Sequence, residues 1–290
     1  MARPIGVTAR KLELGIRLRQ LREPAGFTLE EAASGMRNLS EATLQRIEKG
    51  RAVFRSSGDL RKLLERYDAP EDVVDELINL YKDAANQSWI ALFENIPPEM
   101  QTFAGIESAA RSMRLYHSTI VPALLQTQEY ARAQFEEVRL IEGTTSSDIR
   151  NNVELRMKRK QESILRIDDP PRRSVILGQA ALEKPVGDAD VMRGQYAEIA
   201  KLAALEHVQI QVLPTKARGI QFPHNFTVLD LGGRLPATVQ FDSARNAVTM
   251  SDKPREVDRF TDYFQAMTAT ALPPADTPAF VHQLAREIEP

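Results

Sequence analysis

Ser40-Glu41-Ala42-Thr43-Leu44-Gln45-Arg46-Ile47-Glu48-Lys49-Gly50-Arg51 decides how the first part of this 290-residue chain is read. Ser40 is placed to cap a helix, because its hydroxyl can accept from an amide of the first turn. Leu44 and Ile47, three residues apart, lie on one helical face and form a single apolar stripe. Gly50 stands where a helix can end in left-handed backbone. Off the stripe lie Glu41, Ala42, Thr43, Gln45 and Arg46, which a helix packed through Leu44 and Ile47 turns towards solvent.

Such a helix fits the major groove of B-DNA, where its N-terminal residues face base edges. Arg46 suits a guanine, Gln45 an adenine, Ala42 or the Thr43 methyl a thymine methyl, and Glu41 a cytosine amino group. Lys49 and Arg51 follow at the helix end, and with Thr28 and Ser40 they complete the candidate DNA-contacting set. Arg55 is a further candidate for phosphate, with ordinary surface charge as its rival. The plain alternative for the whole stripe is a solvated helix face with no partner.

Working outward, Leu12, Ile16, Leu18 and Leu21 predict one amphipathic helix, ended by Pro24-Ala25-Gly26. Thr28 with Glu31 is a capping-box pattern and opens a short helix, Leu29 to Ser34. Gly35 to Leu39 reads as a turn. Asp59 opens a helix carrying Leu60, Leu63 and Leu64. Glu71 to Ala85 follows with Val73, Val74, Leu77, Ile78, Leu80 and Tyr81, so five short helices are expected by Ala85.

Leu14 to Glu23 with Gly26-Phe27-Thr28, followed by Leu44 to Arg51, resembles the xenobiotic-response-element (XRE) type of helix-turn-helix repressor. The resemblance implies DNA binding and a structural ion pair between Glu48 and Arg22. The chain departs from that pattern at Leu29, where many members carry Gln, and in a turn from Gly35 to Leu39 that is one residue longer. Both bear on how the bases are read.

Gln87-Ser88-Trp89 and Ile96-Pro97-Pro98 mark a change of module. Residues 1–10 are expected as a tail, 11–85 as an all-α helix-turn-helix domain, 86–100 as a linker and 101–290 as a larger α+β domain. Glu107 to His117 reads as helical, Thr127 as the cap of a helix from Gln128, and Ser147 to Leu165 as a long helix stopped by Asp169-Pro170-Pro171. Ser174–Leu177, Val208–Leu213, Phe226–Leu231, Thr238–Phe241 and Ala247–Met250 read as strands. Val191 to Leu205 and a final Pro254 to Ala269 read as helices.

Val121 to Ala131, Arg156 to Gln161 and Ile210 to Pro214 resemble the antitoxin-like, WhiJ-related C-terminal domain of actinobacterial helix-turn-helix regulators. That resemblance implies a small companion protein as a partner. Gln126-Thr127 reads as helix capping and core hydrogen bonding, with a polar ligand site as the rival. The Arg156–Lys160 cluster reads as a solvated helix face, with phosphate or an acidic partner as the alternative.

Composition narrows the function. Residues 1–66 carry 14 Lys+Arg against 8 Asp+Glu, while the remainder carries 24 against 32. A basic head on an acidic body suits a polyanion-binding module joined to one that avoids polyanions. Apolar residues make up 42% and charged residues 27%, enough for a sizeable core. There is no cysteine, which excludes disulfides, cysteine-ligated zinc, iron–sulfur clusters and a cysteine nucleophile. No run approaches the ~18 apolar residues of a membrane span, and Met1 to Gly6 lacks a signal-peptide core. A cytoplasmic protein without a membrane partner, nucleoid-associated when bound to DNA, is expected.

His117, His207, His224 and His282 are widely separated, and no metal-binding or nucleophile motif is present. Asp168-Asp169 and Asp188-x-Asp190 lie at helix boundaries, where turn formation explains them. No catalytic residue, metal or cofactor is expected. The reading is a sequence-specific DNA-binding transcriptional regulator, homodimeric, whose C-terminal domain binds a companion protein. Its alternatives are an antitoxin-like interaction protein with weak DNA binding and a small-molecule-responsive repressor.

Overall fold

Three serine or threonine caps and four buried apolar stripes build the first five helices. The computed structural model describes residues 7–85, 89–93, 96–166, 170–219, 222–232, 235–242 and 248–288. Helix α1 (Val7–Arg22) is followed by α2 (Leu29–Ala33), α3 (Glu41–Glu48), α4 (Ser57–Arg66) and α5 (Glu71–Ala85). Thr28, Ser40 and Ser56 cap α2, α3 and α4, each hydroxyl accepting from the amide three residues on. Asp59, expected to open α4, is instead the residue whose amide Ser56 caps. Residues 7–10, expected as tail, are the first turn of α1, and residues 1–6 lie outside the described residues.

The core of this bundle is Leu14, Leu18, Leu44, Ile47, Leu60, Leu63, Leu64 and Leu77, all fully buried. Leu14, not Leu12 or Ile16, is the inner residue of α1; with Leu18 it keeps the four-residue spacing that stays on one face. Arg17 clamps α5 by two hydrogen bonds of 2.9 Å to Glu76.

Contacts divide the chain into two units, Met1–Ala109 with Gly233–Leu235, and Ala110–Gly232 with Pro236–Pro290. Within the stretch expected as linker, residues 86–88 and 94–95 lie outside the described residues, Trp89–Leu92 is one 3-10 turn, and Pro98 is the first residue of α6 (Pro98–Ala109). Proline suits that position, where its missing N–H has no helical partner to lose. The helix expected from Glu107 to His117 is therefore not formed. α6 ends at Ala109, and β1 (Ser112–His117) buries Met113, Leu115 and Tyr116 in a sheet.

The second unit is α+β. A six-stranded mixed sheet runs in the order β3-β2-β1-β4-β5-β6, with β2 (Arg172–Gly178), β3 (Val208–Leu213), β4 (Phe226–Asp230), β5 (Thr238–Asp242) and β6 (Val248–Ser251). β1, β2 and β3 are parallel, with Leu115 opposite Val175 and Val175 opposite Ile210; the other pairs are antiparallel. The parallel strands need long crossovers. α7 (Gln128–Glu142) and α8 (Ser146–Ser163) supply the first, and α9 (Gln179–Glu183) with α10 (Ala189–Ala203) the second. Ala247, expected to open the last strand, lies outside the described residues, as do Asp168 and Asp169.

Helix α11 (Pro254–Thr270) lays Val257, Phe260, Phe264 and Met267 on Tyr116, Ile176, Phe226, Val228 and Val239. It is not the final helix, because α12 (Thr277–Glu287) follows. The approach to α12 closes one edge of the sheet: the Leu272 amide donates to Val212 O (2.8 Å) and Thr277 Oγ1 to Ile210 O (2.7 Å). β3 is thereby blunted as a site for an added strand, and the four-residue β6 is the other edge.

Candidate nucleic-acid interface

Helix α3 is held by its buried side and its two ends. Ser40, in extended backbone, accepts from the Thr43 amide (3.2 Å), and its hydroxyl lies 2.9 Å from that of Thr43. Leu44, Ile47 and Glu48 face inward, whereas Glu41, Ala42, Gln45, Arg46 and Lys49 are exposed and Thr43 is half-buried. At the far end Gly50 takes φ +68°, and its Cα lies so near α1 that a Cβ there would stand 2.9 Å from Leu12 Cα. Gly15 of α1 allows a matching close approach, since a Cβ on it would lie 2.4 Å from Ile47 O and 2.6 Å from Glu48 O.

A buried ion pair sets the rotation of α3 about its axis. Arg22, the last residue of α1, donates from Nε (2.7 Å) and Nη2 (3.0 Å) to the two carboxylate oxygens of Glu48. Its Nη1 donates to Phe27 O (2.8 Å), so one guanidinium joins α1, the turn before α2, and α3. Both residues are only 9% exposed. The hydrogen bonds to Glu48 hold the guanidinium pKa above its ordinary value, against the opposing effect of burial.

The preceding helix is fixed by two devices. Thr28 and Glu31 close a capping box, with the Thr28 amide and hydroxyl both donating to Glu31 Oε2 at 2.8 Å. Those two bonds hold the Glu31 carboxyl below the usual carboxylate range. At the other end of α2, Arg66 of α4 donates from Nη1 to Glu31 O, Ala32 O and Ser34 O at 3.0, 2.8 and 2.6 Å. Arg66 was not legible from the sequence: only the fold brings the last turn of α4 to the orphan carbonyls of α2. Leu29 packs part-buried against the core, and the turn at Gly35 (φ +74°) leads to a buried Leu39.

The candidate contact residues thus divide by position. Glu41, Ala42, Gln45, Arg46 and Lys49 share one exposed helical face. Thr28 and Ser40 lie at helix N-termini with their hydroxyls already bonded. Arg51, just past α3, is exposed and sits 3.4 Å from Glu99 of α6; Arg55 is exposed further along the loop. A fixed helix with an outward polar face, flanked by cations and by helix N-termini, has the chemistry to meet base edges and phosphates.

The polar residues singled out in the second unit are taken up in packing. Gln126 Nε2 donates to Val121 O (2.8 Å) and to Gln134 Oε1 (3.0 Å), and Arg156 Nη1 donates to Gln126 Oε1 (2.6 Å). Lys160 Nζ donates to Gln126 O (2.9 Å) and pairs with Glu198 at 2.6 Å. Thr127 caps α7, and its own amide donates to Gln195 Oε1. The Arg156–Lys160 cluster is therefore not a solvated face. Arg159 and Lys160 are buried, and the Arg156 guanidinium lies 4.1 Å from the centre of the Phe135 ring. Burial lowers the Lys160 pKa, and Glu198 opposes that effect.

Among the described residues no group of three or more His, Asp or Glu side chains could hold a metal ion, and no helix is long and apolar enough to cross a membrane.

Two family models match the chain. One, described as a helix-turn-helix domain, covers residues 13–77 and so includes all of α2, α3 and α4; it supports a DNA-binding regulator. The other, described as a domain of unknown function (DUF5753), covers residues 100–283. No curated protein and no solved structure matches. The second model takes in more than half of the 290 residues. The chain belongs to the family of the domain of unknown function DUF5753, with a helix-turn-helix domain at its N-terminal end.

Proposed function

We propose that the protein is a sequence-specific, XRE-type regulator of transcription that binds double-stranded DNA in the cytoplasm as a homodimer and catalyses no reaction. One observation carries this reading. The exposed face of α3 gathers Glu41, Ala42, Gln45, Arg46 and Lys49, while its buried face is locked by Leu44, Ile47 and the Arg22–Glu48 pair. In this reading Arg46 and Gln45 read base edges, Thr43 and Ala42 contact methyl groups, and Thr28, Ser40, Lys49 and Arg51 meet the phosphate backbone. A single helix of this size reads one half-site. Two copies reading half-sites about 34 Å apart roughly double the contact.

Footprinting on the promoter regions beside its own gene tests the reading, with a protected, inverted-repeat site as the expected result. Gel shifts over a randomised site library then separate the roles. Arg46→Ala is expected to cost about 1–3 kcal/mol and to relax preference at one base position. Arg51→Ala is expected to weaken all sequences alike and to flatten the salt dependence. Unchanged affinity and preference in Arg46→Ala would remove it from the reading set.

Glu99 gives a second handle. Its carboxylate sits 3.4 Å from Arg51 and competes with phosphate for that cation. The pair is more than a third exposed, so its worth is small, roughly 0.2–1 kcal/mol. Glu99→Gln is expected to tighten binding about 1.4- to fivefold on every sequence, with base preference unchanged. Equal affinities at matched salt would remove the competition.

The second unit is proposed to bind a small companion protein, as its resemblance to antitoxin-like, WhiJ-related domains suggests. With β3 blunted by the Leu272 and Thr277 bonds, a strand added by such a partner would go to β6.

A further inference from the structure

Among the described residues of the five N-terminal helices and their turns, every arginine bonds a carboxylate or a backbone carbonyl except Arg37, Arg46 and Arg55. All three are exposed. Arg46 belongs to the outward face of α3, whereas Arg37 lies in the turn before that helix and Arg55 in the loop after it. One carboxylate brings the last two together. The Leu39 amide donates to Met36 O (3.4 Å), which closes a β-turn with Arg37 and Asn38 at its corners. Met36 packs part-buried on the core and Leu39 is buried, so the ends of the turn face inward and its corners outward. Asn38 Nδ2 lies 3.5 and 3.4 Å from the two carboxylate oxygens of Asp59. The Ser56 hydroxyl, which caps α4, donates to the same carboxylate at 3.0 Å. Arg37 precedes Asn38 and Arg55 precedes Ser56, so the two cations flank half-buried Asp59. That acid sits in the first turn of α4, where the helix dipole favours it, and pairs with neither arginine. Glu41, exposed in the first turn of α3, pairs with neither as well.

We propose that Arg37 and Arg55 form a two-pronged anchor that grips one stretch of the DNA backbone beside the N-terminus of α3. The α3 cap, Ser40, follows Arg37 by three residues, at most about 10 Å of extended chain. A phosphate that meets the first turn of α3 is therefore within reach of the Arg37 side chain. A guanidinium suits that partner, because its planar fork bonds two phosphate oxygens at once. The turn is fixed before DNA arrives, by its closing hydrogen bond, by buried Leu39 and by Asn38 against Asp59, so presenting Arg37 costs little ordering. Backbone contacts of this kind carry no base information; they set where α3 sits in the groove. The same placement decides Arg55 between phosphate contact and ordinary surface charge in favour of contact.

The proposal rests on the DNA-binding reading above and adds to it the place where the backbone is held. Ethylation interference with the full-length chain on its footprinted site tests it. In the wild type, ethylation of particular phosphates in each half-site is expected to block binding. R37A and R55A are each expected to lose that interference at the same or adjoining phosphates, with base preference unchanged. Each is also expected to flatten the slope of log affinity against log salt by about 0.9 for every half-site bound. The advantage of the wild type over each variant then shrinks about 3.5-fold per half-site between about 50 and 200 mM salt. R37K keeps the charge and is expected to keep the slope. Both arginines are exposed and unbonded, so the urea midpoint of Trp89 fluorescence is expected to stay unchanged in every variant. An interference pattern in R37A identical to that of the wild type would overturn the anchor while leaving DNA binding standing. So would losses in R37A and R55A at well-separated phosphates. A wild type that protects no DNA would overturn the DNA-binding reading and the anchor with it.

Discussion

Glu48→Ala is expected to destabilise the N-terminal helical unit by about 3–5 kcal/mol, because it leaves the buried Arg22 guanidinium without its carboxylate. The bond from Arg22 Nη1 to Phe27 O survives the change but cannot offset the charge. Arg22→Ala is expected to cost a similar amount, and more locally, since it also strips Phe27 O of its donor. The double variant Arg22→Met/Glu48→Leu should recover most of the loss, because two apolar side chains of similar length remove both desolvated charges at once. Trp89, the one tryptophan of the chain, lies within the N-terminal unit and reports its unfolding by fluorescence in urea. A loss below about 1 kcal/mol in Glu48→Ala would show that the pair contributes no more than a surface ion pair. DNA affinity should fall with Glu48→Ala even below the unfolding transition, since the pair ties α3 to α1.

The features that sequence reasoning reached are those whose cause is local. Thr28, Ser40 and Thr127 act within three residues of themselves, and each caps the helix expected of it. Val208 to Leu213 alternates cleanly enough to be a strand without reference to its neighbours. β1 was not legible in this way. Met113-Arg114-Leu115-Tyr116-His117 suits either period, and its strand pairings with Arg172–Leu177 and Phe226–Asp230 decide the matter from more than fifty residues away. The basic run of α8 misled for the same reason. Charge predicts solvent until a distant partner is known, and the partners of Arg156 and Lys160 include the side-chain oxygens of Gln126 and Gln134, the Gln126 carbonyl and the carboxylate of Glu198. Two of the segments that carry the resemblance in the second unit, Val121–Ala131 and Arg156–Gln161, meet through these bonds. Their residue choice records a packed junction rather than an open ligand site.

The same division between local and distant causes governs the glycines, and it supplies a sharp test at Gly15. Helix propensity alone favours alanine over glycine inside a helix by roughly 1 kcal/mol. Gly194 of α10 meets that condition, with nothing within 4 Å of where its Cβ would stand, and Gly194→Ala is expected to stabilise by about that amount. Gly15 is also helical, yet its Cβ would stand 2.4 Å from Ile47 O and 2.6 Å from Glu48 O. These are backbone atoms of α3, so no rotamer change relieves the clash, and α1 must move away from the end of α3. Overpacking of this kind costs about 1–3 kcal/mol and sometimes more, enough to reverse the propensity gain. Gly15→Ala is therefore expected to lower the urea midpoint of the Trp89 transition, where Gly194→Ala leaves that transition unchanged. The displacement acts on the last turn of α3, beside Gln45, Arg46 and Lys49. Affinity for a footprinted site should fall by more than the loss of folded protein explains. If Gly15→Ala instead stabilises the chain, α1 and α3 do not pack backbone to backbone, and Gly15 is no more than a tolerated residue on the face of α1.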